Sequence, residues 1–455
     1  MIWKNIHKVY FLGIGGIGMS ALARYFLVNG FAVSGYDRSP SSITQALESE
    51  GAQIIFDDDI QFFDKELLSD KDTLFIYTPA IPKTNRVFQL LIKKEIKLYK
   101  RAEILGELSK NYKTIAIAGT HGKTTVSSMA AHIMNTCDLG CQAFLGGITK
   151  NYESNIITHA SSEWMVVEAD EYDRSFLQLF PQIALITAMD ADHLDIYGNH
   201  ENLIDAFRQF TEQIQSKGSL IIKYGLKGYF KNHQNYYTYD LSNTDADFYA
   251  EDIELINHQY HFSLKTPQGK IKDLQLSMPG IINLENAIAA CSTAVIAGAK
   301  HHKIKEAILS FQGIKRRMDL VLQNEKISYY DDYAHHPEEI NAAICSIKAL
   351  YPQEELTVVF QPHLFSRTQD FAEGFAQNLD KAEHVILLDI YPAREEPIKG
   401  VSSQSIIDFM QNSNNTILSK TELIPYLKEK KPTLLLTLGA GDIDRLIEHI
   451  KNCFI

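Results

Sequence analysis

Apolar residues along the chain fall into short runs separated by amphipathic stretches. Residues 6–12 (IHKVYFL) form one such run, and GIGGIGMSALARYFLVNG after it reads as a turn and a helix. FAVSGYD reads as a second strand, SITQALESEGA as a second helix and TLFIYTP as a further strand. Parallel neighbours need a crossover between them, so this alternation predicts a parallel sheet with helices on its faces. The stretch closes with a helical segment around Arg101–Lys110. A second set begins with TIAIAG (114–119), the helix pattern TTVSSMAAHIMN and the runs WMVVEA, IALITAM and SLIIKY. Residues 235–277 break the rhythm: DFYAEDIEL and YHFSLK alternate apolar with polar and predict an antiparallel excursion. NLENAIAACSTAVIAGA returns to a helical period. A third set starts near 314, with strands ISYYDDY, LTVVFQP, HVILLDI and TLLLTLG. The pattern thus predicts an α/β chain of three domains, 1–110, 111–313 and 314–455.

Composition narrows the class without changing this picture. A chain of 455 residues suits two to four domains, and 45% hydrophobic with 22% charged residues is ordinary for a globular protein. A formal charge of -12, from 44 basic and 56 acidic residues, argues against nucleic acid as a partner. It leaves phosphorylated small molecules open, because loop amides and a few cations hold phosphates. The five cysteines are widely spaced and odd in number, so no disulfide framework is expected, and Cys137 with Cys141 lacks the second ligand pair of a zinc site. No run approaches the length of a membrane span. A reducing cytoplasm is the expected compartment.

Chemistry enters with two glycine loops. Gly13, Gly15, Gly16 and Gly18 follow a strand and precede a helix, and Asp37 ends the next strand. Glycines there let the backbone turn and approach a diphosphate, and an acid in that place holds a ribose in dinucleotide-binding folds. Read alone, the pattern points to NAD or FAD, with tight helix–strand packing as the plain alternative. The second loop, Gly119-Thr120-His121-Gly122-Lys123-Thr124-Thr125, ends like a Walker A loop, although its first glycine position is filled by Ile117. Its amides would cradle phosphates, Lys123 would reach the β and γ oxygens, and Thr124 would ligate magnesium. As a loop residue Lys123 is expected to add little to the core. Glu168 sits at a strand end where such enzymes hold magnesium, and a later strand delivers Asp190-Ala191-Asp192-His193-Leu194-Asp195. Either acidic segment alone is more simply a solvated loop; beside a phosphate loop a metal–nucleotide site becomes the better reading.

Seven segments occur in one order: GTHGKTT, EADEYD, DADHLD, GIINLEN, GIKRRMD, DDYAHHP and FQPHLFSRT. Together they resemble the Mur ligase family, over nearly the whole chain. GIGGIGMSALA and RAEILGEL resemble the branch that adds L-alanine to UDP-N-acetylmuramate. The resemblance implies an N-terminal Rossmann-like domain, a central P-loop-type ATPase with a mixed sheet and a C-terminal Rossmann-like domain. It assigns the first glycine loop and Asp37 to the UDP-sugar rather than to NAD, and places His193 at the substrate too. It implies ATP and Mg2+ as cofactors, an acyl phosphate on the lactyl carboxylate, and attack on it by the amine of L-alanine. Lys123 would stabilise the moving phosphoryl group; Thr124 and Glu168 would hold one magnesium, His193 and Glu168 a second. Asn283 and Asn286 would lie beside the nucleotide, Arg317 would reach it from the domain junction, and Asp332 would bind its ribose end, with His335 and His336 close by. His363 and Arg367, in FQPHLFSRT, would bind the amino acid; Leu364 stands where a second basic residue is common. No carbamylated lysine is evident. The implied protein is cytoplasmic, a monomer or weak homodimer, with no nucleic-acid or membrane partner. The nearest rival is the family's recycling branch, which attaches a tripeptide to the same sugar. A nicotinamide oxidoreductase would leave GTHGKTT, Glu168 and Arg317 without a role, and a non-catalytic sensor would not need Lys123, Glu168, His193 and Arg317 together.

Overall fold

The computed structural model describes residues 5–191, 194–231, 233, 235–393 and 395–455. By its internal contacts the chain divides into two units. The first holds residues 1–253, 262–275 and 286–311; the second holds 254–261, 276–285 and 312–455.

The first unit contains two sheets. The N-terminal sheet has five parallel strands, with Lys8–Leu12 at its centre between Ala32–Tyr36 and Thr73–Tyr77, and with Gln53–Ile55 and Leu98–Lys100 at its edges. The order reverses at Lys8–Leu12, so the first glycine loop opens at the switch point, where an open α/β sheet leaves a crevice. The central sheet has seven strands. Lys113–Ala118 lies in the middle, with Trp164–Glu168 on one side and Ile183–Ile186 on the other. Ile115, Ala116, Ile117 and Ala118 are all fully buried, as a strand covered on both faces requires. Gln142–Thr149 runs antiparallel to Ser154–Ile157, which makes this sheet mixed. Tyr236–Tyr239 is a correction to the antiparallel excursion expected over 235–277: it pairs parallel to Ser219–Lys223 and closes the central sheet. The excursion proper is the three strands Tyr249–Ile256, Gln259–Thr266 and Gly269–Leu276. Asn257 and His258, between the first two, both have positive φ (50° and 63°), as a tight hairpin turn demands.

One apolar cluster runs through both sheets of this unit and includes Phe11, Phe26, Phe144, Phe176 and Phe207. Polar groups join the sheets as well. Arg24, on helix Ile17–Val28, is buried; it binds Glu50 through Nε and donates from Nη1 to Asn155 Oδ1. Asn155 Nδ2 donates in turn to Ile17 O (2.6 Å) and Ser20 Oγ (2.9 Å). Every polar atom of a buried amide is expensive to leave unpaired, so this knot fixes the helix behind the first glycine loop against Ser154–Ile157.

The second unit is built on a six-stranded sheet whose inner strands Ser328–Asp332, Leu434–Leu438, Leu356–Phe360 and His384–Leu388 are parallel, with Asn415–Leu418 parallel at one edge and Asp319–Gln323 antiparallel at the other. Helices Pro337–Leu350 and Phe365–Leu379 pack on it around Ile340, Ile344, Phe360 and Phe375. No described helix is long and apolar enough to cross a membrane.

Candidate functional site

In the first unit the two glycine loops leave strand ends. Gly15 N donates to Asp37 Oδ2 (2.7 Å), and Arg38 N takes the other oxygen (2.7 Å), so Asp37 braces the first loop itself. At Gly18 the Arg101 guanidinium lies so close that a Cβ would fall 2.4 Å from Nη1. Gly13 begins the turn with φ 85°, and Gly16 precedes the helix as its N-cap, with no side-chain cap bond. This loop therefore combines ligand-compatible amides with close packing.

The second loop is pinned from below by the strand end Ile183–Ile186 and the residues after it. Thr120 N donates to Ala188 O (3.1 Å), Thr120 Oγ1 accepts from Asp190 N (3.1 Å), and Thr187 Oγ1 bonds to His121 O. Gly119 has φ 130°, and a Cβ there would lie 2.1 Å from Thr187 Oγ1. Gly119→Ala is thus both strained and overpacked. It is expected to cost about 1–3 kcal/mol of stability, and a melting curve of the variant checks this. Gly122, at φ 80°, caps helix Lys123–Thr136 without any side-chain hydrogen bond. The first-turn amides of that helix, around the buried Thr124 and Thr125, have no intrahelical acceptor, which suits an anion. Asn286 lies against Gly122, its Oδ1 2.7 Å from where a Cβ would stand. Exposed His121 sits 3.7 Å from Asp190.

Lys123 is buried, against the expectation that as a loop residue it adds little to the core. Its side chain is only 14% exposed, and Nζ donates to Gly119 O (2.6 Å) and to Glu171 Oε1 (2.8 Å) of a fully buried glutamate. Burial alone would lower its pKa, but the carboxylates of Glu171 and Glu168 outweigh that and hold the ammonium above its ordinary value. Glu168 ends its strand with the carboxylate over Gly146, and Oε2 is buried with no hydrogen-bond partner among the described residues. An orphaned carboxylate oxygen beside a phosphate loop fits a hard cation. His193 lies outside the described residues, and among those described no group of three His, Cys, Asp or Glu forms a ready cage.

After Glu168 the chain forms a loop bound to Lys123 of the second glycine loop and to Arg101, whose guanidinium lies against Gly18 of the first. Asp170 faces Arg101 (3.5 Å), Asp173 accepts from Lys100 (2.7 Å), and Asp173 and Arg174 both have positive φ (52° and 56°). A cavity of about 420 Å³ lies beside it, bordered by Tyr77, Lys100, Asp173, Arg174 and Gln178.

The second unit gathers the remaining expected residues. Asp332 accepts from Met318 N (2.6 Å) and Ala334 N (2.8 Å); burial pushes its pKa above the ordinary carboxylate value against the pull of Arg317. Arg317 lies over the Tyr333 ring at 5.3 Å. His335 pairs with Glu339 (3.3 Å), and burial, with Arg367 and Arg317 nearby, keeps it below the ordinary imidazole value. His336 contacts the Phe371 ring edge-on. His363 stacks on Tyr391, and its Nδ1 lies 3.5 Å from Arg367 Nη1. Arg367 stands in the first turn of its helix, half-buried, with no carboxylate within ion-pair distance among the described residues. A cation there is unfavourable for the helix dipole, so its place calls for an anion. Leu364 caps this helix at φ 71°, ψ 137°, a strained conformation for leucine. Asn283, also in this unit, donates from Nδ2 to Pro279 O (2.7 Å). Sequence reasoning gave no role to Glu171, Tyr333 or Glu339, although the first two lie within EADEYD and DDYAHHP and Glu339 lies two residues past the second segment.

Two glycine loops at strand ends, a buried lysine and a carboxylate beside it suit a phosphate-bearing ligand. The chain belongs to the Mur ligase family. Family models match end to end: the Mur ligase family catalytic domain over residues 8–113, the Mur ligase middle domain over 117–294, and the Mur ligase glutamate ligase domain over 316–441. The chain is 45% identical to UDP-N-acetylmuramate–L-alanine ligase of Porphyromonas gingivalis, over 98% of each chain. It is 46% identical to the protein of the same name in Flavobacterium psychrophilum, over 99% of this chain and 98% of that one. In fold it is similar to a UDP-N-acetylmuramate–alanine ligase of Thermotoga maritima (TM-score 0.83, 24% identity, 98% of each chain). A murein peptide ligase of Psychrobacter arcticus also shares the fold (TM-score 0.71, 21% identity, 98% of each chain).

Proposed function

We propose that this chain joins L-alanine to UDP-N-acetylmuramate with consumption of ATP, in the synthesis of peptidoglycan precursors. The observation that carries the reading is identity of 45% across 98% of the chain to proteins of that name. The divisions 1–110, 111–313 and 314–455 serve as UDP-sugar, ATP and amino-acid domains in this reading. Gly13, Gly15, Gly16 and Gly18 face the diphosphate of the UDP-sugar, and Asp37 holds their loop in shape. Residues 119–125 cradle the phosphates of ATP, with Asn283, Asn286, Arg317 and Asp332 as its other contacts. Glu168, Thr124 and His193 would hold magnesium, which supplies positive charge against the phosphates. Lys123 faces the charge that develops as the lactyl carboxylate takes up the phosphoryl group and ADP leaves. Arg367, with His363, holds the alanine carboxylate so that its amine is free to attack the acyl carbon; phosphate then departs and an amide remains. Work in the cytoplasm as a monomer or weak homodimer belongs to the same reading.

Phosphate release measured with ATP, Mg2+, UDP-N-acetylmuramate and one amino acid at a time tests it. Release that depends on L-alanine is expected; release with the tripeptide alone would transfer the chain to the recycling branch. For the metal, Glu168→Gln is expected to raise the magnesium concentration needed for half-maximal rate, because an amide is a poorer ligand for a hard cation. An unchanged magnesium titration removes Glu168 from the metal site.

A further inference from the structure

We propose that Glu171 is the positioning residue for Lys123: its buried carboxylate fixes the ammonium so that one N–H is left pointing to a phosphate oxygen. The inference rests on residues 119–125 being a phosphate loop. A lysine ammonium has three donors on a flexible stem. Here Gly119 O and Glu171 Oε1 take one donor each, at 2.6 and 2.8 Å. Two fixed acceptors define where Nζ sits, and among the described residues the third donor is left for a ligand. Without them the lysine would have to be ordered by the phosphate itself, at the cost of its side-chain entropy.

Glu171 is in turn held more firmly than a loop acid usually is. It is fully buried, and its carbonyl accepts from Tyr197 Oη at 2.6 Å. The residues around it are anchored by Arg101 on Asp170 and Lys100 on Asp173. Asp173 and Arg174 follow with left-handed backbones, a conformation that persists in non-glycine residues only where the surroundings impose it. The two glutamates of the EADE run thus divide the work. Glu168 turns its carboxylate over Gly146, and Glu171 gives an oxygen to Lys123.

The test is a double-mutant cycle on the full chain: wild type, Glu171→Ala, Lys123→Ala and the double variant. Turnover is read by phosphate release, and the dissociation constant of a non-hydrolysable ATP analogue by calorimetry. Glu171→Ala is expected to lower kcat by about tenfold or more, since a misplaced catalytic group is costly. The analogue should bind within about threefold of wild type, because the lysine charge remains. In the Lys123→Ala background the same change should do almost nothing, as coupled residues are non-additive. Glu171→Gln, which keeps an acceptor oxygen without the charge, should fall between and guards against a misfolded alanine variant. An equal loss of kcat with and without Lys123, or a lower melting temperature at unchanged kcat, overturns the positioning role. If Lys123→Ala itself alters neither turnover nor analogue binding, the phosphate-loop reading fails first, and that outcome is distinct.

Discussion

Lys123→Ala is expected to cut the rate of alanine-dependent phosphate release by about 10²-fold or more, the loss typical when a preorganised charge facing the transition state is removed. Nζ sits in a nearly dry place, between a loop carbonyl and a buried carboxylate, where a cation interacts strongly with developing negative charge. The same burial adds a second effect. Alanine at 123 leaves Glu171 buried without its cation, and breaking such a pair costs about 3–5 kcal/mol. The variant should therefore melt earlier as well as turn over slowly. Assays well below its melting point separate the two, and Lys123→Ala with Glu171→Ala should recover much of the stability but not the rate. Near-normal turnover in a folded Lys123→Ala chain would sink the assignment of residues 119–125.

Arg367→Ala should raise the Michaelis constant for L-alanine by roughly 10- to 150-fold, the worth of a charge-assisted hydrogen bond of about 1.5–3 kcal/mol. Constants for ATP and UDP-N-acetylmuramate should move much less. The guanidinium is half-buried, has His363 as a neighbour at 3.5 Å and no acid in ion-pair distance among the described residues, so its charge is available to a ligand. Leu364 offers no second cation, and its strained backbone serves the turn: its N donates to Tyr391 O (2.9 Å) and its carbonyl accepts from Thr368. Arg367→Lys should recover only part of the affinity, because an ammonium lacks the planar fork that matches a carboxylate. An unchanged alanine constant in Arg367→Ala would move the amino-acid site elsewhere.

Local pattern exposed the elements and the loops between them, because burial on both faces writes itself into runs such as TIAIAG and TLLLTLG. It did not expose what joins residues far apart. Lys123 reads as a loop lysine that adds little to the core; its buried partner Glu171 lies 48 positions later. Asp37 reads as a ribose ligand from its place at a strand end; that it also accepts from Gly15, 22 positions earlier, is not legible locally. The strand Gln142–Thr149 carries two adjacent glycines, which argue against a strand locally; Gly146 is needed because the Glu168 carboxylate occupies the space of a side chain. Tyr236–Tyr239 is a four-residue edge strand, too short for its parallel pairing with Ser219–Lys223 to be written in its own pattern.

The knot of Arg24 and Asn155 gives the chain a timetable. Its two ends are 131 residues apart, which at about 5–20 residues per second separates their synthesis by roughly 7 to 26 s. During that interval the helix Ile17–Val28 carries Arg24 and Tyr25 without two of their later partners, Asn155 and Phe144, while Glu50 is made early enough to meet Arg24. The N-terminal sheet can form meanwhile, but its last surface stays open until the strand Ser154–Ile157 arrives. A nascent chain arrested before residue 154 should present that surface to chaperones, and one arrested well beyond it should not.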